Sequence, residues 1–406
     1  MALSYEDFSK KMRSRLDAFP EITYYLQTLV YGNDFTSQGY TFLEGHQGGV
    51  YDVTFNKDGN FLASASRDET VRFWRKTGDF SFQPIESSSL KFNSYVWTVR
   101  FSQYGIVTGD AGGCINFWNE EDLLAGKEPG LIKSLTIGSP NNPVFRISFD
   151  PTRNYIAAST LNEEVQLWKI TLSLSRQGGK IVAPVKDIET GEQKRFSHGG
   201  EVYDVNFNPL SSSSYFVSAG MGNVVKYWDA ELDSNQTPRE FVPESSAKDL
   251  IVYKTSFSYP DSSGSAENQM LASANSDGTI SVWRISTGEL LQTLTHSFNK
   301  TAVYSSGRKA VFGVAFSPDN RILASTGDDR TVKLWSVHDW KQLRTYWHRD
   351  ALNRLSFGPD GKLLASASAD GSVWLYQIDA IWDNGDDVVI EQLLRDSYHF
   401  LNPEGA

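Results

Sequence analysis

Apolar and polar residues along this chain alternate in short runs rather than recurring at helical spacing. VYDVTF (Val50 to Phe55), VFRISF (Val144 to Phe149), VYDVNF (Val202 to Phe207) and VFGVAF (Val311 to Phe316) each alternate with a period of two. Turn-forming stretches such as NKDG, SPDN and GPDG punctuate the pattern, so each run reads as a half-buried strand entering a tight turn. A second strand ending in small residues follows, then an Asp-containing turn, then a third strand that closes on an aromatic anchor. FLASASRDETVRFW ending at Trp74 is the type example, and it recurs at Trp283, Trp335 and Tyr376. Weaker copies end at Trp118, Trp168 and Trp228. The intervals between the seven anchors are 44, 50, 60, 55, 52 and 41 residues, a repeat of about 40 to 45 with insertions. A fourth strand is expected in segments such as ELLQTLTH and KQLRTYWH. Seven such units cannot share one flat sheet without long exposed edges, and radial repetition solves that problem. The expectation is an all-β, seven-bladed propeller.

The residues that carry these units resemble the WD-repeat β-propeller family over residues 39–378. Blade one has Gly45-His46 ahead of its first strand, Ser64 ten residues before Trp74 and Asp68 six before it. Blade seven repeats the pattern with His348, Ser366, Asp370 and Tyr376, and in both the His precedes the anchor by 28 residues. The resemblance implies that these side chains form a buried hydrogen-bond chain inside a blade, from Asp to His to Ser to the anchor, with a structural role. Asp stands at its offset as Asp68, Asp277, Asp329 and Asp370, whereas Gly112, Asn162 and Gly222 replace it in blades two, three and four, which are expected to be locally softer. The resemblance also implies that an N-terminal segment supplies the outer strand of the last blade, and TFLEGH (Thr41 to His46) suits that role.

Outside the repeats lie an N-terminal helical segment, 1–38, and a C-terminal helical tail, 379–406. Residues 4–32 read as helix, with Ser4 as cap, Phe8, Met12 and Leu16 on one stripe and Ile22, Leu26, Leu29 and Val30 on a second. Asp386 to Leu401 reads as a short amphipathic helix. Two readings follow: these helices pack on the propeller's own rim, or they mark a signalling context. The second rests on YLQTLVYGND and IEQLLRDSYHFL, which resemble the flanks of WD-repeat sensor regions in bacterial STAND-type signalling NTPases, a class common in cyanobacteria. No Gly-x-x-x-x-Gly-Lys-Ser/Thr occurs in the chain, so that resemblance implies a stand-alone relative or a detached sensor part that would work with a partner or fused signalling NTPase. Insertions fall at 171–195, where a hairpin is expected, at Pro260 to Asn268, and at residues 297–309, where Lys300, Arg308 and Lys309 form a basic loop between blades five and six that could cover one sector of the rim.

Composition narrows the function. Of 406 residues, 38 are Lys or Arg and 49 are Asp or Glu, a net charge of −11, which argues against nucleic acid as principal partner because phosphate neutralisation needs clustered cations. No apolar run is long enough to insert in a membrane or act as a signal peptide. One cysteine, Cys114, excludes an internal disulfide and reads as a packed core thiol. A cytoplasmic chain is expected. The six histidines show no metal-ligand spacing. The repeated Asp residues occupy turns, so the expectation is no enzyme, no metal and no cofactor; a propeller enzyme with a site on the channel axis is the minor alternative.

Aligning the first strands yields the candidate site. Their second residues are Tyr51, Trp97, Phe145, Tyr203, Tyr253, Phe312 and Asn353, six of seven aromatic. In propellers this strand lines the central channel, so these side chains should converge on one rim. The residues before the turn Asp, including Arg67 and Asp328, point to the same rim in the family. Two readings stay open. The ring either receives a partner protein or peptide, since rigid aromatics are favoured at interaction hot spots, or its members pack between blades, because Tyr51 is in phase with Val53 and Phe55. The expected function is a non-catalytic interaction scaffold presenting this rim. The alternative is a ligand- or protein-sensing module of a STAND-like signalling or defence system.

Overall fold

Each alternating run pairs with the next in sequence order. The computed structural model describes residues 5–18, 26–27, 39–137, 142–151, 155–172, 176–177, 180–181, 188–210, 214–245, 247, 249–260, 265–296, 309–378 and 394. Blade one is built from Val50–Phe55, Phe61–Ser66, Thr70–Gly78 and Ser81–Pro84, and Leu90–Lys91 adds a short pairing to its third strand. Six more four-stranded antiparallel sheets follow, with first strands at Val96–Ser102, Arg146–Phe149, Val202–Phe207, Val252–Phe257, Val311–Phe316 and Leu352–Phe357. Each first strand touches that of the next sheet, and the last touches the first. The result is a closed seven-bladed β-propeller. In blade three the outer strands lengthen, Glu164–Leu172 against Ile188–Ser197, and Arg176–Gln177 pairs with Lys180–Ile181 as a hairpin.

The second strands explain why small residues recur there. Phe61–Ser66, Ile322–Gly327 and Leu363–Ser368 are buried at every position, because both faces of the sheet are covered by neighbouring blades. Leu62 packs toward blade seven, whereas Ala63 and Ala65 pack toward blade two. A strand covered on both faces loses the polar half of its alternation. Among the described residues, the core divides into seven clusters, one at each interface between adjacent blades.

Closure comes from Tyr40–Leu43, which pairs antiparallel with the last strand, Tyr40 opposite Tyr376 and Leu43 opposite Val373. The strand starts one residue before the expected Thr41 and ends before Glu44, which leaves His46 outside the ladder. Tyr40 is 1% exposed, its ring lies 5.3 Å from Tyr346 and 5.9 Å from Trp374, and its hydroxyl donates to Gln27 Oε1 at 2.8 Å. Ahead of it, Tyr5–Ala18 forms a helix in which Phe8 and Met12 are half-buried and Asp7, Lys10 and Lys11 are exposed. Leu26 is buried. Of the C-terminal tail only Leu394, buried, lies within the described residues.

The polar chains inside the blades differ from the expected pair. Blade six holds the complete set: Asp329 to His296 at 3.1 Å, His296 to Ser325 at 2.8 Å, and Trp335 Nε1 donating to Ser325 Oγ at 2.8 Å. Blade one links Asp68, His46 and Ser64 at 2.9 and 2.6 Å, and Trp74 meets His46 by ring contact at 5.9 Å rather than by a hydrogen bond. Blade seven is rewired. The Tyr376 hydroxyl stands between Ser366 Oγ (2.7 Å) and His348 Nε2 (3.0 Å), and Asp370 turns to Ser372 instead of His348. A phenol both donates and accepts, so it joins two groups that an indole N–H could not. His348 Nδ1 is left buried without a partner, as is His198 Nε2 in blade four, where Gly222 replaces the aspartate. Each orphan costs roughly 1–3 kcal/mol.

With no carboxylate bonded to them, burial pushes His198 down to about 4 and His348 down to about 3. Both remain neutral in the fold while the unfolded chain protonates near its ordinary value. Stability is therefore full above pH 6.5 and falls as the pH drops below it. Between pH 7 and pH 5 the His198 contribution to the loss should be about 2 kcal/mol. Urea unfolding of wild type and His198→Gln at both pH values checks this: the variant should lose less, and equal losses would remove His198 as the cause. Deleting residues 39–45 should abolish cooperative thermal unfolding, since it removes the outer strand of blade seven; a sharp melt at an unchanged temperature would show that closure does not depend on it.

Candidate functional site

The first strands that line the channel do not keep a period of two. In blades one, two and four to seven the register shifts between the first and third residues, as between Val50 and Asp52 or Val96 and Thr98. This is a β-bulge, an extra residue that re-aims side chains and adds twist. Its effect shows in the burial of Val50–Phe55, where Val50, Val53 and Phe55 enter the core while Tyr51 is only half-buried. Tyr51 is thus out of phase with Val53, so the shared phase that would have carried it into the core between blades does not hold. In blade three the ladder begins at Arg146, and Phe145 reaches it by a single bond to the Ser159 carbonyl at 3.0 Å.

All seven ring positions are half-buried and line one pocket together with Arg354. It encloses about 680 Å³ including its open mouth. Tyr51 and Trp97 stack at 4.1 Å with planes 19° apart. Trp97 meets Phe145 edge-on at 5.3 Å, Phe145 meets Tyr203 at 5.3 Å, Tyr203 meets Tyr253 at 5.7 Å, and Tyr253 meets Phe312 edge-on at 5.3 Å. Each such contact contributes roughly 0.5–1.5 kcal/mol beyond area burial and fixes ring orientation. The series stops at Asn353, whose Nδ2 donates to the Val50 carbonyl at 2.7 Å.

The turn residues share this rim. In six blades the N–H of the residue before the turn Asp, or before its replacement, donates to a carbonyl two residues ahead of the aromatic position. Arg67 bonds Gly49, Ala111 bonds Tyr95, Met221 bonds Glu201, Ser276 bonds Ile251, Asp328 bonds Ala310 and Ala369 bonds Ala351. Arg67 also lies over the Tyr95 ring at 5.5 Å. Asp328 is half-buried. Of the basic loop expected over this rim, only Lys309, exposed, falls within the described residues. Cys114 is not a core thiol: it opens a strand at intermediate exposure, its Sγ 4.0 Å from Thr136 Oγ1.

Beneath the ring lies a charged layer that the strand alignment did not single out. The third residue of the strand, which follows the bulge in every blade but the third, is Asp52, Thr98, Arg146, Asp204, Lys254, Gly313 and Arg354 in blades one to seven. Asp52 Oδ2 accepts from Thr98 Oγ1 and Arg100 Nη1, both at 2.8 Å, and lies 2.8 Å from Arg146 Nη1. Asp204 pairs with Lys254 at 3.0 Å, accepts from Thr255 Oγ1 at 2.6 Å and lies 3.5 Å from Arg146 Nε. Burial alone would raise Asp52, but Arg100 and Arg146 hold it down at about 2. Burial lowers Lys254 to about 7 against the pull of Asp204, with Arg146 and Arg354 adding to the shift. Arg100 and Arg354 are each lowered to about 10, first by burial and then by Arg146. Four cationic side chains thus face two carboxylates. For Asp52, Arg146, Asp204 and Lys254 the signal was present in the sequence, as a charged residue directly after an aromatic in a channel strand, but it has meaning only once the bulge is known.

Comparison with known proteins agrees with the fold. The WD domain, G-beta repeat family matches residues 37–75, 289–336 and 340–377. The chain is 24% identical over 305 residues to the transcriptional corepressor LEUNIG_HOMOLOG of Arabidopsis thaliana, covering 74% of this chain but 32% of that protein's length. It is 22% identical over 290 residues to the target of rapamycin complex subunit LST8 of Bos taurus, covering 71% and 76% of the two chains. Among solved structures, the WD40 β-propeller domain of Doa1 superposes with a TM-score of 0.60 at 21% identity, over 84% of this chain and 97% of that one. Among the described residues no helix is long and apolar enough to cross a membrane, and no group of three or more His, Cys, Asp or Glu side chains is placed to hold a metal ion.

Removing one partner of a buried ion network strands the others. Asp52→Ala should lower the unfolding free energy by about 3–5 kcal/mol, because Arg100 and Arg146 lose the carboxylate they share. Urea titration measures it, and a loss under about 1 kcal/mol would mean that the two cations do not depend on Asp52.

Proposed function

Starting from a seven-bladed β-propeller that carries WD repeats, we propose that this protein is a non-catalytic interaction module whose aromatic ring receives a peptide or loop of a protein partner. The carrying observation is the continuous contact from Tyr51 to Phe312: six half-exposed rings already held in place by one another. Side chains ordered before binding lose little conformational entropy when a ligand arrives, which favours affinity. The pocket is concave and open at one end, as a site for an inserted side chain requires. Two relatives, a transcriptional corepressor and a subunit of the target of rapamycin complex, fit a protein that works by association. Catalysis by the two nearest carboxylates is disfavoured, because Asp52 and Asp204 are occupied by cations and hydroxyls. A carboxylate held at about 2 is a weak base near neutral pH.

The test is a parallel affinity purification with wild type and a variant carrying Trp97→Ala, Phe145→Ala and Phe312→Ala. The expected outcome is loss of the partners that wild type retains, while the circular dichroism spectrum and a cooperative melt persist. Retention of the same partners by a folded triple variant would place binding elsewhere on the molecule.

A further inference from the structure

An aromatic ring alone would suit a cation, since ring faces attract ammonium and guanidinium groups. Here the layer beneath the ring carries Arg100, Arg146, Lys254 and Arg354 against Asp52 and Asp204. Of the four cations, Arg354 is placed differently. Arg100 and Arg146 contact Asp52, and Lys254 contacts Asp204, whereas Arg354 has no carboxylate within ion-pair distance among the described residues. Its Nη1 donates to the carbonyls of Tyr253 at 2.8 Å and Phe312 at 3.1 Å. Those bonds hold the guanidinium in position through one nitrogen. Nε and Nη2 make no hydrogen bond to the described residues, and neither is sealed away from solvent.

The aromatic series is interrupted beside Arg354, where the ring carries Asn353. Gly313 of the neighbouring blade adds no space, because a Cβ there would collide with Thr326 Oγ1 of blade six, so the gap in the ring is the one left by the shorter Asn353 side chain. Arg354 is the one charged residue among those lining the pocket. The Nε and Nη2 edge of an arginine matches the two oxygens of a carboxylate with parallel hydrogen bonds. We infer that the partner inserts a carboxylate into the open sector between Phe312 and Tyr51, clamped by Arg354, with apolar neighbours of that carboxylate lying against the aromatic ring. This inference rests on the rim reading above and specifies its ligand: an Asp or Glu side chain of a peptide segment, or a peptide's terminal carboxylate.

The probe is a random peptide library offered to the purified full chain in two forms, one with amidated C-termini and one with free C-termini. Wild type should enrich Asp or Glu next to an apolar residue. Enrichment in the amidated library assigns a side-chain carboxylate, and enrichment confined to the free-terminus library assigns the main-chain carboxylate. Arg354→Gln should weaken binding of the selected peptide tenfold or more, and Arg354→Lys, which keeps the charge but not the fork, should fall between. Because Arg354 also bonds two carbonyls, a ligand-side exchange guards against misfolding: replacing the selected Glu by Gln, or amidating the selected terminus, should cost wild type the same factor. Selection of Lys or Arg, selection indifferent to charge, or unchanged affinity after the Glu to Gln exchange would overturn the carboxylate clamp while leaving the rim reading intact. No enrichment by wild type, or equal enrichment by the triple aromatic variant, would overturn the rim reading and this inference with it.

Discussion

Both faces of every blade need cover, and only a closed ring gives each blade two neighbours. That constraint governs the rest of the molecule. Second strands such as Phe61–Ser66 are buried throughout, so an open array would leave two such faces bare at its ends. Tyr40–Leu43 prevents this by completing the last sheet from the start of the chain. Closure is thus a long-range contact between the beginning and end of the ring, and the seven interface clusters become mutually dependent through it.

The bulges are the second governing feature because they separate two tasks on one strand. Without them, every other residue of the channel strand would face the same way and an aromatic mouth would compete with the core for side chains. With them, Val50 and Val53 stay in the core, Tyr51 reaches the mouth and Asp52 turns into the channel. One inserted residue per strand yields three environments within four positions. The charged layer below the ring then ties blades together around the axis: Asp52 of blade one to Arg100 and Arg146 of blades two and three, Asp204 of blade four to Lys254 of blade five, and Arg354 of blade seven to the carbonyls of blades five and six.

Most of the architecture was legible in the chain, because the aromatic anchors and the small-residue second strands recur for reasons of packing that act locally. The ring positions were legible for the same reason: they hold a fixed place in a repeated strand. What escaped was phase and wiring. A bulge leaves no distinctive residue, so Tyr51 reads as a neighbour of Val53 until the ladder is seen. The complete polar chain of blade six was obscured because the inserted loop lies between His296 and the first strand, stretching the His to Trp335 interval to 39 residues from the usual 28. Blade seven departs from the repeat because the Tyr376 hydroxyl, unlike an indole N–H, reorganises the bonds around it. The charged layer was visible as residues but not as a cluster, since its members come from six blades.

The pairing that closes the ring has one more effect. Gln377 donates its backbone N–H to the Gly39 carbonyl at 2.8 Å, so the two places where chain joins the propeller are a single place in space, on the outermost edge of blade seven and opposite the channel strand. Whatever precedes residue 39 and whatever follows residue 378 are therefore moored side by side. The propeller thus has a single point of attachment, on the side of blade seven farthest from its channel strand.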